Sequence, residues 1–307
     1  MLLRISHATT YRYAPQVNTA QHMAHLIPRA TPAQEVITSS LHIAPEPATR
    51  RDAMDVYGNH RTFFSLAAAH DTLRIEARSM VRTHAQTIHP AAADTPAWEK
   101  VRNHFEYHAG AAWDAATEFS FASPHVKPHD DFVHYARASF SPHRPLLEAS
   151  VDLMQRMHRD FEYASQSTDI HTPALDALHQ RRGVCQDFAH ILLSCLRSLG
   201  LAARYVSGYL LTEPPEGQPS LVGSDASHAW VSLYVPGSKG DGLWFDLDPT
   251  NNRWGLSSPG EDYVCLAWGR DFSDVSPVRG VIHGGENHTL EVSVTVSPLD
   301  EALAPAS

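Results

Sequence analysis

Alternating apolar and polar positions dominate the start of the chain and predict β-strands. Positions 3, 5, 7, 9 and 11 share one face of a strand, and residues 36–44 repeat the same period of two. Residues 62–67 and 72–81 form further short runs, with Pro and Asn-His between the runs. We therefore predict a small antiparallel β domain, arranged as a sandwich, over residues 1–85.

Helical periodicity replaces this alternation farther along. Prolines interrupt residues 86–145 and leave short helical pieces around 98–107 and 130–138, which predicts a helical connector packed on the next domain. After Pro145, residues that share one helical face recur and predict one longer helix: Leu147, Val151, Met154, His158 and Phe161. Thr172 and Pro173 predict a following short helix, with Thr172 as its N-cap.

A buried helix is predicted to begin at Cys185. Its apolar stripe consists of Phe188, Leu192, Cys195 and Leu199, and Gly200 ends it. Strands follow at 203–210, 229–235, 243–247, 263–268 and 289–296. Helices followed by strands favour an α+β domain over residues 146–298 that includes the C-terminal strands, with a tail at 299–307.

Composition narrows the class of protein. The chain has 307 residues, 43% hydrophobic and 19% charged, as in soluble globular proteins, and its net charge of −10 argues against a nucleic-acid partner. No apolar run approaches the ~18 residues of a membrane span, and the first residues lack the pattern of a secretory signal, so we expect neither. Only three cysteines are present, which favours reduced thiols and a cytoplasmic location.

Histidines do not predict a metal site. The chain has 21 of them, and the tightest cluster lacks nearby cysteine and zinc-type spacing: His125, His129, His134 and His143. We therefore expect neither a metal nor another cofactor.

Cys185 is the strongest candidate for chemistry. At the start of a helix the backbone amides are free and the dipole favours an ionised sulfur, so this position suits a nucleophile. The same amides, including that of Cys185, can bind an oxyanion, while the second donor stays open. Arg181 and Arg182 add positive charge nearby, and Gly183 allows a close approach of the chain. Cys195 and Cys265 fit inert buried thiols.

His228 and Asp248 are the candidate partners of the thiol. A hairpin turn centred on position 238 would place 228 opposite 248, close enough for an imidazole–carboxylate hydrogen bond. Moving the turn by one residue would pair Trp230 with Asp248 instead, and Asp246 is the rival carboxylate. Asp248 precedes Pro249 and also fits a turn-initiating residue.

Two other polar residues and one loop have structural alternatives. Asp187 lies in the first helical turn, where an acid complements the dipole, and His190 faces away from Cys185. We expect both to be structural, with Asp187 able to orient the site. The segment 213–227 fits either a flap over the cleft or an ordinary hairpin loop.

Several motifs together resemble bacterial transglutaminase-like proteins, which are often described as cysteine proteases. The motifs are Gly-Val-Cys-Gln-Asp-Phe-Ala-His at 183–190, Ala-Arg-Tyr-Val-Ser-Gly-Tyr at 203–209, Ser-His-Ala-Trp-Val at 227–231 and Asp-Pro-Thr-Asn-Asn at 248–252. The first ~80 residues resemble the β-rich domain that precedes this core in such proteins, and motifs at 268–272, 277–280 and 288–292 resemble their C-terminal continuation.

The resemblance implies a fold and a set of roles. It implies an α+β, papain-like (transglutaminase-like) catalytic core preceded by a small antiparallel β domain. Cys185 would be the nucleophile, His228 the general base and Asp248 the acid that orients it.

The implied activity is thiol-dependent acyl transfer on amide bonds of proteins or peptides. Hydrolysis, by a peptidase or a deamidase, is favoured because no amine channel is visible and water is abundant. Transglutaminase activity is the nearest alternative, and a non-catalytic peptide-binding module is a third. No membrane partner is expected, and the oligomeric state cannot be predicted.

Overall fold

The computed structural model describes residues 1–84, 91–110, 112–164, 172–212, 227–237 and 242–300. Its strands are β1 (Leu2–Ala24), β2 (Gln34–Ala44), β3 (Thr49–Met54), β4 (His60–Leu66), β5 (His70–Thr83), β6 (Glu162–Tyr163), β7 (Arg182–Gly183), β8 (Ala203–Leu210), β9 (Ser227–Val235), β10 (Leu243–Asp248), β11 (Arg253–Leu256), β12 (Tyr263–Gly269), β13 (Val278–Gly284) and β14 (Asn287–Leu299). Its α-helices are α1 (Trp98–Phe105), α2 (Asp130–Arg137), α3 (Leu146–Asp160), α4 (Ala174–Gln180), α5 (Cys185–Ser198) and α6 (Phe272–Val275).

The long strand β1 organises the first sheet. Its first half, from Leu2 to Arg12, pairs with β5 on one edge and with β14 on the other. Its second half pairs with β4 and β13. Apolar side chains from the second half of β1 and from β2, β4 and β5 share one buried cluster: Val17, Ala20, Leu41, Ile43, Phe64, Leu66, Leu73 and Ile75.

The C-terminal strands correct the sequence-based division of the chain. Residues 146–298 were predicted to form one unit, but β13 and β14 pair with β1 and complete the N-terminal sheet. Alternation identifies a strand without identifying its partner edge, and an uncovered second edge of β1 would expose a long row of unpaired amides. Residues 301–307 of the predicted tail lie outside the described residues.

The predicted connector packs onto the second unit. Trp98 of α1 and Phe132 of α2 belong to the same buried cluster as Leu153 of α3 and Leu192 of α5. The short helix α4 begins at Ala174 with Pro173 at its N-cap, and no side chain caps it. The predicted Thr172 cap is therefore wrong by one residue, a common uncertainty at helix ends.

A five-stranded antiparallel sheet, in the order β11-β10-β9-β8-β12, carries α5 on one face. Ala229, Val231 and Leu233 of β9 pack beneath the helix, so the alternate side chain of Trp230 points to the opposite side. There Trp230 packs against Tyr263 of β12, which shows that the sheet curls strongly. The predicted α+β class is confirmed.

None of the helices in the described ranges is long and apolar enough to cross a membrane.

Candidate active site

The start of α5 is built around Asp187. Its carboxylate accepts the backbone NH of Val184 at 2.8 Å, and the first helical bond runs from Phe188 NH to the Val184 carbonyl. A Cβ on Gly183 would lie 2.6 Å from the Asp187 carboxylate, so only glycine lets the chain pass here. Asp187 thus caps the helix, and the helical geometry leaves the amide of Cys185 without an intrahelical acceptor.

The three cysteines have different environments. Cys185 is partly exposed, whereas Cys195 and Cys265 are buried. Burial raises the pKa of Cys265 to about 12 and raises that of Cys195 further, so both stay protonated at neutral pH. Among the three thiols, Cys185 is the one placed to react with a molecule from solvent.

Arg181 packs against aromatic rings at the end of α4, while the expected positive charge of Arg181 and Arg182 near Cys185 stays a prediction. The Arg181 guanidinium lies over the rings of Tyr135 and Phe161, at 4.3 and 5.0 Å from their centroids. Arg181 also has a left-handed backbone conformation, with φ of 54°, at the end of α4. Its charge therefore stabilises the junction between α4 and its aromatic neighbours.

The structure brings Cys185, His228 and Asp248 together. The imidazole Nε2 of His228 donates to Asp248 Oδ2 at 2.7 Å, and Cys185 lies close enough to the same imidazole to raise its pKa. Because Nε2 faces the carboxylate, Nδ1 is the ring nitrogen left for the sulfur. Both His228 and Asp248 are buried, at 8% and 0% exposure.

Electrostatics favour a charged imidazole at this site. Burial alone would lower the pKa of His228, but the hydrogen bond and charge of Asp248, together with Cys185, raise it above its usual value. Burial would likewise raise the pKa of Asp248, and the His228 hydrogen bond and charge lower it instead. The carboxylate therefore stays ionised and holds a proton on its imidazole neighbour.

The strand register differs from the predicted one. Val231 pairs with Leu247 and Ser232 with Asp246, so the register places Trp230 opposite Asp248. His228 reaches Asp248 diagonally, as side chains two positions apart can do on a twisted sheet. The turn itself, at 238–241, lies outside the described residues.

Asp246, the rival carboxylate, has another partner. It accepts the indole Nε1–H of Trp230 at 2.8 Å, again across a diagonal. Trp230 also stacks beside His228, with ring centroids 6.1 Å apart. Asp246 therefore orients the indole beside the imidazole, and Asp248 is the carboxylate that contacts His228.

Sequence analysis missed two residues that hold Asp248. The Tyr263 hydroxyl donates to Asp248 Oδ2 at 2.7 Å, and the Asn251 amide donates to the same oxygen at 2.8 Å. The backbone amides of Thr250 and Asn251 donate to Oδ1. Asn251 could have been found as an Asx-turn neighbour of Asp248, but Tyr263 comes from β12, which only the curl of the sheet brings near.

His190 lies in a separate buried network. Its ring stacks on that of His125 with centroids 5.0 Å apart, and its Nε2 accepts the Phe272 NH. Burial lowers its pKa to about 3, so it remains neutral at physiological pH. These contacts agree with the expected structural role.

No group of three or more metal-binding side chains converges within the ranges that the structure covers. The predicted absence of a metal stays a prediction. The proposed flap falls almost entirely in 213–226, which lie outside the described residues.

Two protein-family models match this chain. The model of the bacterial transglutaminase-like N-terminal region matches residues 3–82, and that of the transglutaminase-like superfamily matches residues 134–249. An uncharacterized protein from Mycobacterium tuberculosis (strain H37Rv) is 39% identical over 97% of this chain and 93% of its own length. A protein-glutamine gamma-glutamyltransferase from Pseudomonas aeruginosa is 32% identical over 32% of this chain and 15% of its own length.

A solved structure shares the fold. The crystal structure described as "a Putative Cysteine Protease from Cytophaga hutchinsonii" superposes with a TM-score of 0.71 at 21% identity, over 99% of this chain and 93% of that one. The expected fold, a papain-like (transglutaminase-like) core preceded by a β-rich region, is confirmed.

Proposed function

Because the chain belongs to the transglutaminase-like superfamily and carries the bacterial N-terminal region, we propose that it is a thiol-dependent acyl-transfer enzyme acting on amide bonds of proteins or peptides. Hydrolysis, by a peptidase or a deamidase, is the proposed outcome. The observation that carries the proposal is the convergence of Cys185, His228 and Asp248: His228 is bonded to Asp248, and both neighbours raise its pKa.

In the first half-reaction the Cys185 sulfur attacks the carbonyl carbon of the substrate amide. The electron pair of the C=O bond moves to oxygen, where the free amide of Cys185 stabilises the charge. When the tetrahedral species collapses, the C–N bond breaks and imidazolium His228 gives its proton to the departing nitrogen. A thioester on Cys185 and a free amine or ammonia result.

In the second half-reaction, neutral His228 takes a proton from water as the water oxygen attacks the thioester. The C–S bond breaks, the carboxylic acid leaves, and the thiolate–imidazolium pair is restored. Asp248 stays ionised throughout, because its hydrogen bonds and the adjacent imidazolium lower its pKa. Its role is to hold the His228 ring with Nδ1 toward the sulfur.

Transamidation is the second candidate because of the local similarity to the Pseudomonas aeruginosa protein-glutamine gamma-glutamyltransferase. An amine would then replace water in the second half-reaction, which requires a site that admits the amine and limits water. The cytoplasmic location and the absence of nucleic-acid and membrane partners stay predictions from the sequence.

Thiol labelling tests the proposed machinery without knowledge of the substrate. At neutral pH iodoacetamide should modify Cys185 well before Cys195 or Cys265, and Cys185→Ala should abolish the fast phase. His228→Gln should slow that phase about tenfold or more, because a hydrogen bond to a charged group contributes roughly 1.5–3 kcal/mol. Cys265→Ala is the matched control and should leave the phase intact. Labelling of Cys185 that is indifferent to His228→Gln would favour a binding module.

Product analysis separates the possible reactions. The protein is incubated with a peptide library and an added primary amine, and the products are identified by mass spectrometry. Cleaved or deamidated peptides that are absent with Cys185→Ala support hydrolysis, whereas amine-linked peptides support transamidation. A product pattern that is unchanged in Cys185→Ala would refute thiol catalysis.

A further inference from the structure

A cleft opens at the end of the sheet away from the Cys185, His228 and Asp248 site. Its volume is about 930 Å³, and neither Cys185, His228 nor Asp248 lines it. Tyr234, near the end of β9, is part of its wall, whereas His228 is the second residue of the same strand. Six residues of extended strand span roughly 20 Å, so the cleft is remote from the thiol site.

Six aromatic rings of the described residues line the cleft. They come from the connector, the N-terminal unit and the sheet, and they present flat apolar surfaces: Tyr57, Trp113, Phe119, Tyr234, Trp244 and Trp268. Phe119 packs edge-on against Trp244 with ring centroids 5.5 Å apart. Trp113 is 72% exposed and lies at the surface. Such a wall suits a flat apolar ligand.

Arg204 is the cation in this cleft. Its guanidinium carbon lies 3.5 Å from the ring centroid of Trp268 and 3.9 Å from that of Trp244, and the residue is 8% exposed. Its Nε atom is buried and has no hydrogen-bond partner, and no described residue forms a hydrogen bond or close ion pair with the guanidinium. Burial lowers its pKa to about 9, which still leaves it charged at neutral pH.

The other charged groups of the cleft are already paired. Asp114 accepts hydrogen bonds from the Ala116 amide and from His104, each at 2.9 Å. Glu118 accepts the Tyr57 hydroxyl at 3.3 Å. Asp246 contributes an opposing charge but no hydrogen bond to Arg204, so an acceptor for the guanidinium N–H groups is left to a ligand that enters the cleft.

We propose that this cleft binds a small carboxylate with a flat apolar body. The carboxylate meets the edge of the Arg204 guanidinium, since the faces of that group are covered by Trp244 and Trp268. The apolar body lies against Phe119 and extends toward Trp113. The ligand is either a free aromatic acid or the carboxyl terminus of a peptide that ends in an aromatic residue, because both present the same chemistry.

Calorimetric titration of the full chain tests this proposal with 2-naphthoate and its neutral isostere 2-naphthamide. The acid should bind at least about tenfold more tightly, since a charge-assisted hydrogen bond contributes roughly 1.5–3 kcal/mol. Arg204→Met should remove this preference, whereas Arg78→Met changes the same charge at an exposed position and should keep it. The side chain of Arg78 is 72% exposed.

Two further variants keep the test decisive. Trp113→Ala, at an exposed position, should weaken naphthoate binding even if Arg204→Met does not fold. Cys185→Ala should leave binding unchanged, which separates this cleft from the proposed thiol chemistry. A Gly-Gly-Trp peptide with a free carboxyl terminus, compared with its amidated form, distinguishes the two ligand sources. Equal binding of acid and amide, or binding lost in Cys185→Ala, would overturn the proposal.

Discussion

Replacement of Asp248 by Asn probes the electrostatic core of the site most directly. The carboxylate has no solvent exposure, and it accepts the His228 Nε2–H at 2.7 Å as well as bonds from Tyr263 and Asn251. An asparagine keeps the volume and one acceptor oxygen but removes the charge. Burial then dominates at His228, so its pKa should fall.

The size of the shift follows from the interaction removed. A hydrogen bond between charged groups contributes roughly 1.5–3 kcal/mol, and one pKa unit corresponds to about 1.4 kcal/mol. We therefore expect the His228 pKa to fall by about 1–2 units. Cys185→Ala removes the second group that raises this pKa and should give a further, separate decrease. NMR titration of ring-labelled histidine, with the His228 signal assigned from His228→Gln, measures both effects.

Asp246→Asn is the matched control. It removes the same charge from the same strand two positions away, but its carboxylate contacts Trp230 and not His228. The His228 pKa should then change much less than in Asp248→Asn. An unchanged His228 pKa in Asp248→Asn, or equal shifts in the two variants, would refute the assignment of Asp248 as the partner that holds the imidazole proton.

Three further substitutions have defined outcomes. Tyr263→Phe removes one donor from buried Asp248 and should lower the free energy of unfolding in urea by about 1–2 kcal/mol. Gly183→Ala forces a Cβ against Asp187 and should lower the same free energy by about 1–3 kcal/mol and slow thiol labelling. His7→Gln should make the free energy of unfolding less sensitive to acid. Burial lowers the His7 pKa from 6.5 to about 4, so the stability that neutral His7 contributes is complete above pH 6.5 and is lost as the pH falls toward 4. The loss is at most about 3 kcal/mol.

Local sequence patterns were sufficient for the helix that carries the thiol. Phe188, Leu192 and Cys195 recur at helical spacing and are all buried, and Gly200 follows the helix end with a positive φ of 78°. Because neighbouring residues determine where a helix begins, the position of Cys185 could be predicted from the local sequence alone. For the same reason the inert character of Cys195 could be predicted from its place within the stripe.

Those local patterns could not predict how strands that are distant in the sequence pair with one another. The turn between β9 and β10 was placed one residue away from the observed register, yet His228 and Asp248 still meet because diagonal neighbours on a strongly curled sheet come within reach. Tyr263 and Arg204 acquire their roles only through that curl. No spacing in the chain indicates that Tyr263 of β12 reaches Asp248 of β10, or that two tryptophans enclose one guanidinium.

The N-terminal sheet supports the site through β12. Gln34 of β2 accepts the Cys265 NH and donates to the Cys265 carbonyl, both at 2.7 Å, and the Thr83 hydroxyl donates to the Glu261 carbonyl at 2.6 Å. These bonds hold the backbone on both sides of Tyr263, whose hydroxyl fixes the carboxylate behind His228. Since β14 packs Val294 and Val296 over Val264, the C-terminal strands add an apolar contact on the same element. If the unit that contains β12 were separated from the N-terminal sheet, these buried polar and apolar groups of β12 would lose their partners. The two units therefore act as one structure in positioning Asp248.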